Sequence, residues 1–282
     1  MAICMSPFHK RHDNENMALP CGKCPACLTT RKSAWSFRLM QESRVSDSML
    51  FVTLTYAPEY VKKAPSGRLT LDKRDLTLFF KNLRNSYRTL PKNERPKIKY
   101  YVVGEYGSRF QRPHYHVILF NSHFDNVRKS WPHGHAQIEV PRKGEASIGY
   151  CLMYMDTPKT RRVPMYEGDD RQPLFAHMSL GLGASYLTPD MIAWHRADLE
   201  NRLYIPLKDG NKASMPRYYK NRIYRMYELA NIGVYLTNKA MEIEREEMLR
   251  NPDYLWNKEQ AKLAAFERLR KKYLKTESKS IF

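Results

Sequence analysis

The stretch RPHYHVILF (Arg112 to Phe120) opens an apolar run with two histidines one residue apart. Alternate side chains of a strand share a face, so His114 and His116 project together, with Ile118 and Phe120 beyond them. Tyr115, Val117 and Leu119 point the other way. Glu105 stands near the end of the preceding apolar stretch, KIKYYVVGEYG, and the connection SRFQRP would bring it back beside the pair. Two imidazoles and one carboxylate form an incomplete coordination shell that leaves positions open for water and substrate. The set suits Mg²⁺ or Mn²⁺ in a working site, and Zn²⁺ would also bind. A second His-x-His, His133 and His135 in WPHGHAQ, contains Gly134 and follows Pro132, so it reads as loop with solvated histidines.

Two further groups could do chemistry. Cys21, Cys24 and Cys27 form C-x2-C-x2-C, with Cys4 upstream and His9 and His12 as spare ligands. Four thiolates could close a tetrahedral structural zinc site, with reduced free thiols as the alternative. In GYCLMYMDTPK, Tyr150 and Tyr154 are four apart and share one helix face. Such a pair either packs in a core or presents two phenols to one substrate. Cys151 between them reads as a packed helix residue.

Forty-eight Lys and Arg against 29 Asp and Glu leave a formal charge of +19, which points to a polyanion, because each neutralised phosphate releases counterions. Arg109, Arg112, Arg142, Lys143, Lys159, Arg161 and Arg162 cluster in sequence around the histidines and tyrosines and are candidate phosphate contacts; Arg217, Tyr218 and Tyr219 are weaker ones. The first residues hold no continuous apolar segment that would read as a signal peptide, and no stretch approaches the roughly 18 apolar residues of a membrane span. Three clustered cysteines of five fit a reducing cytoplasm.

The elements that must hold these residues follow from periodicity. Thr29 to Ser46 reads as a helix, Met49 to Pro58 as a strand, and Leu71 to Leu90 as an amphipathic helix with Leu76, Phe79, Phe80, Leu83 and Tyr87 on one face. Lys97 to Gly107, Arg112 to Phe120 and Ala136 to Arg142 read as strands, and Glu145 to Thr157 as a short helix ended by Pro158. That order predicts an α+β fold, helices against an antiparallel sheet. The chain divides into a Cys-rich segment (1–28), a core (29–160), an accessory region with much loop (161–222) and C-terminal helices (223–282), two of them separated by Asn251-Pro252.

Taken together these stretches resemble the His-hydrophobe-His endonucleases of rolling-circle replication, and more closely the replication initiators of small single-stranded DNA phages, the Microviridae of gokushovirus type. CGKCPACLTTRKSAWSFRL, FVTLTY, GEYG with RPHYHVILF, and the Tyr-x3-Tyr helix carry the match in family order, and PRYY (Pro216 to Tyr219) is also similar. The likeness covers about residues 4 to 225. It implies an RRM- or ferredoxin-like core, a metal held by Glu105, His114 and His116, and tyrosine attack on the origin strand. The products would be a 5′-phosphotyrosine link and a free 3′-OH, with the second tyrosine cutting again and the strand rejoined into a circle. Two departures stand out: the family's lysines beside the second tyrosine are Met153 and Thr157 here, and Lys159 is the nearest substitute for neutralising the phosphate. No G-x-x-x-x-G-K-[ST] loop is present, so a helicase would come from the host cell. A non-catalytic zinc-containing nucleic-acid binder, a plasmid relaxase and a single-tyrosine transposase are the alternatives.

Overall fold

The computed structural model describes residues 4, 6–12, 15–22, 24–107, 109–141, 148, 152, 168–207 and 210–279. By its packing the chain divides into two compact units, Met1–Trp35 with Ser185–Lys275, and Ser36–Ala184 with Thr276–Phe282.

The second unit is built on a five-stranded antiparallel sheet. β3 (Met49–Thr55), β6 (Lys99–Tyr106), β7 (Pro113–Phe120), β8 (Ala136–Glu139) and β9 (Phe175–Met178) lie in the order β8-β3-β7-β6-β9. β7 is therefore central and β9 forms one edge. The pleat sends Leu50, Val52, Leu54, Tyr100, Val102, Tyr115, Val117 and Leu119 into one core. Facing them is α2 (Lys73–Asn85), whose Leu76, Phe79, Phe80 and Leu83 are buried at helical spacing. Each of those side chains contributes about 1.5–3 kcal/mol by leaving water. Asp72 starts the helix by accepting the Arg74 amide. On the opposite sheet face Phe51, Tyr101, Val103, Ile118 and Phe120 are buried too. Burial on both faces explains why β6 and β7 read as nearly continuous apolar runs. Short pieces complete the unit: β4 (Lys62–Lys63) with β5 (Leu69–Thr70), and α3 (Phe124–Ser130). Gly104 has a packing role, because a Cβ there would sit 2.9 Å from the Phe175 ring.

The first unit carries a hairpin of β1 (Phe8–His12) and β2 (Glu15–Leu19), and a second of β10 (Tyr204–Pro206) and β11 (Lys212–Ser214). Its helices are α4 (Pro189–Arg196), α5 (Arg217–Ile223), α6 (Met226–Arg250) and α7 (Tyr254–Lys279). α1 (Pro25–Ser43) is shared between the units. Thr188 starts α4 by accepting the Met191 amide, with Pro189 at the first helical position. His195 of α4 is fully buried, its ring nitrogens 2.8 Å from the Tyr186 hydroxyl and 2.8 Å from the Arg202 carbonyl. Arg196 forks onto Glu228 of α6 at 3.0 and 2.6 Å.

The expected α+β class and antiparallel sheet are what the chain forms. β9 was not expected: it lies in the stretch read as accessory and pairs with β6, Gly104 facing Phe175 and Val102 facing His177. The helix expected over Glu145 to Thr157 falls mostly outside the described residues, within which Ile148 and Leu152 are helical and fully buried. Among the described residues, no helix is long and apolar enough to cross a membrane.

Candidate metal centre and its surroundings

Strand register brings the three expected ligands together. In the β6–β7 pair Glu105 lies directly opposite His114, and Val103 opposite His116. On the other side of β7, Thr53 lies opposite His116. The imidazoles therefore rise from one sheet face beside the carboxylate, as alternation requires. His114 Nε2 and His116 Nε2 each lie 3.1 Å from Glu105 Oε1. The three ligand atoms are all within 4.8 Å of one another, and the group could hold a metal ion.

The remaining nitrogens are occupied. His114 Nδ1 is 3.1 Å from the Arg112 carbonyl, and His116 Nδ1 is 3.1 Å from Thr53 Oγ1. His116 also stacks on Phe51, ring centroids 5.5 Å apart and planes 8° from parallel. A carbonyl only accepts, so the His114 Nδ1 position must carry the proton. In the neutral ring Nε2 is then a bare lone pair facing a carboxylate oxygen. Two acceptors at that distance need a cation between them, a proton or a metal. Outer partners that fix the tautomer while both Nε2 atoms converge are the arrangement of histidine metal ligands. Charge balance agrees. Burial pushes the Glu105 carboxyl up, but the bonds from His114 and His116 more than offset it and hold it at about 2. Burial pushes His114 down, and its bonds to Glu105 and the Arg112 carbonyl raise it above its ordinary value.

Tyr115, between the histidines, is fully buried on the far side of the strand. Its hydroxyl accepts the Asp72 amide at 2.9 Å and donates to the Asp72 carbonyl at 2.8 Å, pinning the start of α2 to the histidine strand. Tyr56 OH lies 2.9 Å from the same hydroxyl and donates to Asp75 at 3.0 Å. Lys62 binds both Asp72 and Asp75. Burial lifts the Tyr56 and Tyr115 phenols well above the ordinary tyrosine value, so neither is a nucleophile.

The second His-x-His corrects one expectation. His135 is exposed, but His133 is not simply solvated: it packs against Trp131, Tyr60 and Tyr56 with centroids 5.1, 5.8 and 6.2 Å away, and sits 3.7 Å from Asp75. Gly134 explains the difference. A Cβ there would lie 2.4 Å from the Thr55 carbonyl, so only glycine lets this turn close onto the end of β3.

In the other unit, Cys4, Cys21, Cys24 and Cys27 meet with their sulfurs within 4.8 Å of one another. All four are free and partly buried. The amide of Cys21 donates to Cys4 Sγ, and that of Cys24 to Cys21 Sγ, each at 3.2 Å. Burial pushes the Cys27 thiol up to about 12, helped by Cys24 and Cys4 and opposed by a bond from Gly22. His9 is exposed on β1.

Of the candidate phosphate contacts, Arg112 is exposed and donates to the Tyr56 carbonyl at 2.7 Å, and Arg109 is exposed with its guanidinium 5.0 Å from the Phe110 ring. Arg217 is exposed at the start of α5, Tyr218 carries Arg222 at 3.8 Å over its ring, and Tyr219 is buried. Tyr150, Tyr154, Cys151, Arg142, Lys143, Lys159, Arg161 and Arg162 lie outside the described residues. The sequence reading missed Thr53 and Phe51 as supports of His116, and period-two alternation in FVTLTY could have revealed both.

The family of replication-associated proteins described by the name ORF2 matches residues 49–159, from the first residue of β3 to Lys159. Replication-associated protein VP4 of Bdellovibrio phage phiMH2K is 28% identical over 225 residues, 73% of this chain and 67% of that protein. Replication-associated protein ORF2 of Spiroplasma virus 4 is 28% identical over 236 residues, 76% of this chain and 70% of that one. Replication-associated protein ORF4 of Chlamydia phage 1 is 33% identical over 102 residues, 36% of this chain but only 24% of that protein. No solved structure matches the chain. The resemblance drawn from the motifs thus stands: this chain is a relative of phage replication-associated proteins of the Microviridae type, with the ORF2-like region at residues 49–159.

Proposed function

We propose that the chain initiates rolling-circle replication of a phage genome inside the infected bacterium, by nicking and rejoining one strand at the viral origin. The observation that carries the reading is the convergence of His114 Nε2 and His116 Nε2 on one oxygen of Glu105, in a chain of net charge +19 whose relatives are named for replication. Glu105, His114 and His116 would hold Mg²⁺ or Mn²⁺, which supplies Lewis-acid polarisation of the phosphate oxygens when bound. Tyrosine, with an ordinary pKa of ~10, is a weak nucleophile at neutral pH and requires such an electrophilic phosphate.

Tyr150 and Tyr154 are the proposed nucleophiles. The phenol oxygen of one bonds to phosphorus and gives up its proton. The bond from phosphorus to the 3′ oxygen breaks, and that oxygen leaves as a 3′-OH that primes synthesis. The second tyrosine cuts the regenerated origin, and the new 3′-OH displaces the first tyrosine to close a circle. Each exchange trades one phosphoester for another, so no nucleotide is consumed. Lys159 would neutralise the phosphate; Arg109, Arg112, Arg142, Lys143, Arg161, Arg162 and Arg217 would hold the backbone; a host helicase would open the duplex. The four cysteines would hold a structural Zn²⁺, consistent with their amide-to-sulfur bonds.

Labelled single-stranded origin DNA incubated with Mn²⁺ should give a protein adduct that survives SDS. Tyr150→Phe and Tyr154→Phe should each impair circle closure, and the double change should abolish the adduct. DNA binding without cleavage, indifferent to both tyrosines, would overturn the reading in favour of a non-catalytic binder.

A further inference from the structure

On the sheet face opposite the metal centre, a cavity of about 250 Å³ opens between α2 and the β6–β9 edge. Its walls are the rings of Phe80, Tyr100 and Phe175, and its rim carries Lys73, Thr77, Arg84 and His177. Tyr100 lies flat on Phe80, centroids 3.5 Å apart and planes 11° from parallel. Over the rings stand only flexible cations: Arg84 is 5.9 Å from the Tyr100 centroid and Lys73 is 5.0 Å from that of Phe175. Both are exposed, and neither forms an ion pair among the described residues. No acidic side chain lines the cavity. His177 is exposed, its Nδ1 bonded to the Tyr100 hydroxyl at 3.1 Å, and its Nε2 has no partner among the described residues.

None of this serves the metal centre. Lys73, Thr77 and Arg84 fall on one edge of α2, the outer two separated by eleven residues and therefore about 16 Å along the axis. That edge sets positive charge at both ends of an aromatic slot, the pairing that single-stranded nucleic acid meets on its binding proteins: rings for the bases, cations for the backbone. The slot is also just under the roughly 300 Å³ at which drug-sized sites begin, which suits one flat heterocycle.

We propose that this slot is a second DNA contact, holding one unpaired base of the strand between Tyr100 and Phe175, with Lys73 and Arg84 on the flanking phosphates and His177 Nε2 at the base edge. The inference rests on the reading of the chain as a binder of single-stranded DNA. Gly104 pairs with Phe175 and is followed by Glu105, so the slot and the metal centre lie back to back on the same strands. A strand rounding the β9 edge reaches both within a few nucleotides, and tension across that edge would keep the origin unpaired at the metal.

The test is photo-crosslinking of the full chain to a single-stranded oligonucleotide carrying 5-iodouracil, with the linked peptides mapped by mass spectrometry. Links at Tyr100, Phe175 or His177 are expected. The double variant Lys73→Ser/Arg84→Ser should keep its melting temperature, bind the oligonucleotide about tenfold more weakly, and lose about 0.7 of salt slope per cation removed. Links confined to other strands, or affinity and slope unchanged in the variant, would overturn the proposal. So would competition of the links by free thymidine monophosphate at a concentration equal to the oligonucleotide, which would make the slot a mononucleotide site. SDS-stable adduct measured in the same samples separates the two readings: adduct without these links removes the slot alone, and links without adduct remove the nickase alone.

Discussion

Thr53 is the sharpest test of the metal centre, because it touches no proposed ligand position and yet holds one ligand in place. Its hydroxyl lies 3.1 Å from His116 Nδ1, and the strand pairing places the two residues directly opposite each other. The equivalent partner of His114 is a main-chain carbonyl, beyond reach of substitution. Thr53→Val keeps the branched shape and the strand preference and removes only the bond. For stability the loss is one hydrogen bond, about 0.5–1.5 kcal/mol, partly recovered by valine's fit to a buried strand. For metal the effect should be larger, because His116 can then rotate away from the position that aims Nε2 at Glu105 Oε1, 3.1 Å distant. Loss of such outer partners costs about 10–100-fold in affinity, at about 1.4 kcal/mol for each tenfold. Mn²⁺ titration by calorimetry, alongside adduct yield against Mn²⁺ concentration, should show the midpoint displaced by that factor with the yield at saturation largely retained. An unchanged midpoint in a variant of unchanged melting temperature would refute the claim that the Thr53 bond orients a metal ligand.

Other predictions follow from the same geometry. Tyr115→Phe strands the buried Asp72 amide and carbonyl that its hydroxyl now satisfies, and should destabilise the fold by about 1–3 kcal/mol in a urea titration; a neutral result would mean that those groups find other partners. Gly134→Ala puts a Cβ 2.4 Å from the Thr55 carbonyl at a φ of +154°, and should lower the melting temperature and release His133 from its aromatic neighbours, visible as a shifted histidine NMR signal. Burial depresses His195 below its ordinary 6.5, though the Arg202 carbonyl opposes this, so below that value the unfolded chain takes up a proton that the folded chain declines. Stability should therefore be full above about pH 6.5 and fall as pH drops toward the depressed folded value, and His195→Gln should flatten that slope between pH 7 and 5. Protein purified without chelator should carry one zinc per chain, lost on Cys21→Ser/Cys24→Ser, with unfolding of the first unit moved to lower temperature.

How much of this could be read from sequence depended on whether a residue's neighbours were local. β3, α2, β6 and β7 announce themselves because each is at least seven residues long and keeps a single period. Once β6 and β7 are antiparallel neighbours joined by a short loop, register alone puts Glu105 beside His114, so the metal centre was legible before any coordinates. β9 was not: FAHM is four residues among prolines and glycines, and it is a strand only because the β6 edge accepts it. The slot beside it was invisible for the same reason, since Phe175 and His177 meet Tyr100 across some seventy-five residues of chain. His133 was misread because the constraint on Gly134 comes from the Thr55 main chain rather than from its own neighbours. Cys4 could be guessed by residue type, but seventeen residues and a hairpin separate it from Cys21.

The alternation of β7 also explains why a tyrosine stands between the histidines. A metal centre built on adjacent strands needs those strands held rigidly, because its ligand atoms converge within 4.8 Å and a small slip of register separates them. An aliphatic residue at position 115 would fill the core and no more. Tyr115 instead makes two bonds to the main chain of Asp72, the residue that caps α2, and so fastens the helix to the strand at the level of the histidines. The polar groups that do this are buried and satisfied, so moving the strand along its axis would break several bonds together. The side chain facing away from the chemistry is thus part of what keeps Nε2 of His114 and His116 aimed at one oxygen. Tyr115→Phe should on that account loosen metal binding as well as the fold, whereas Leu83→Ala, which empties the same core without touching the Asp72 bonds, should cost about 2–5 kcal/mol of stability and leave the Mn²⁺ midpoint where it was.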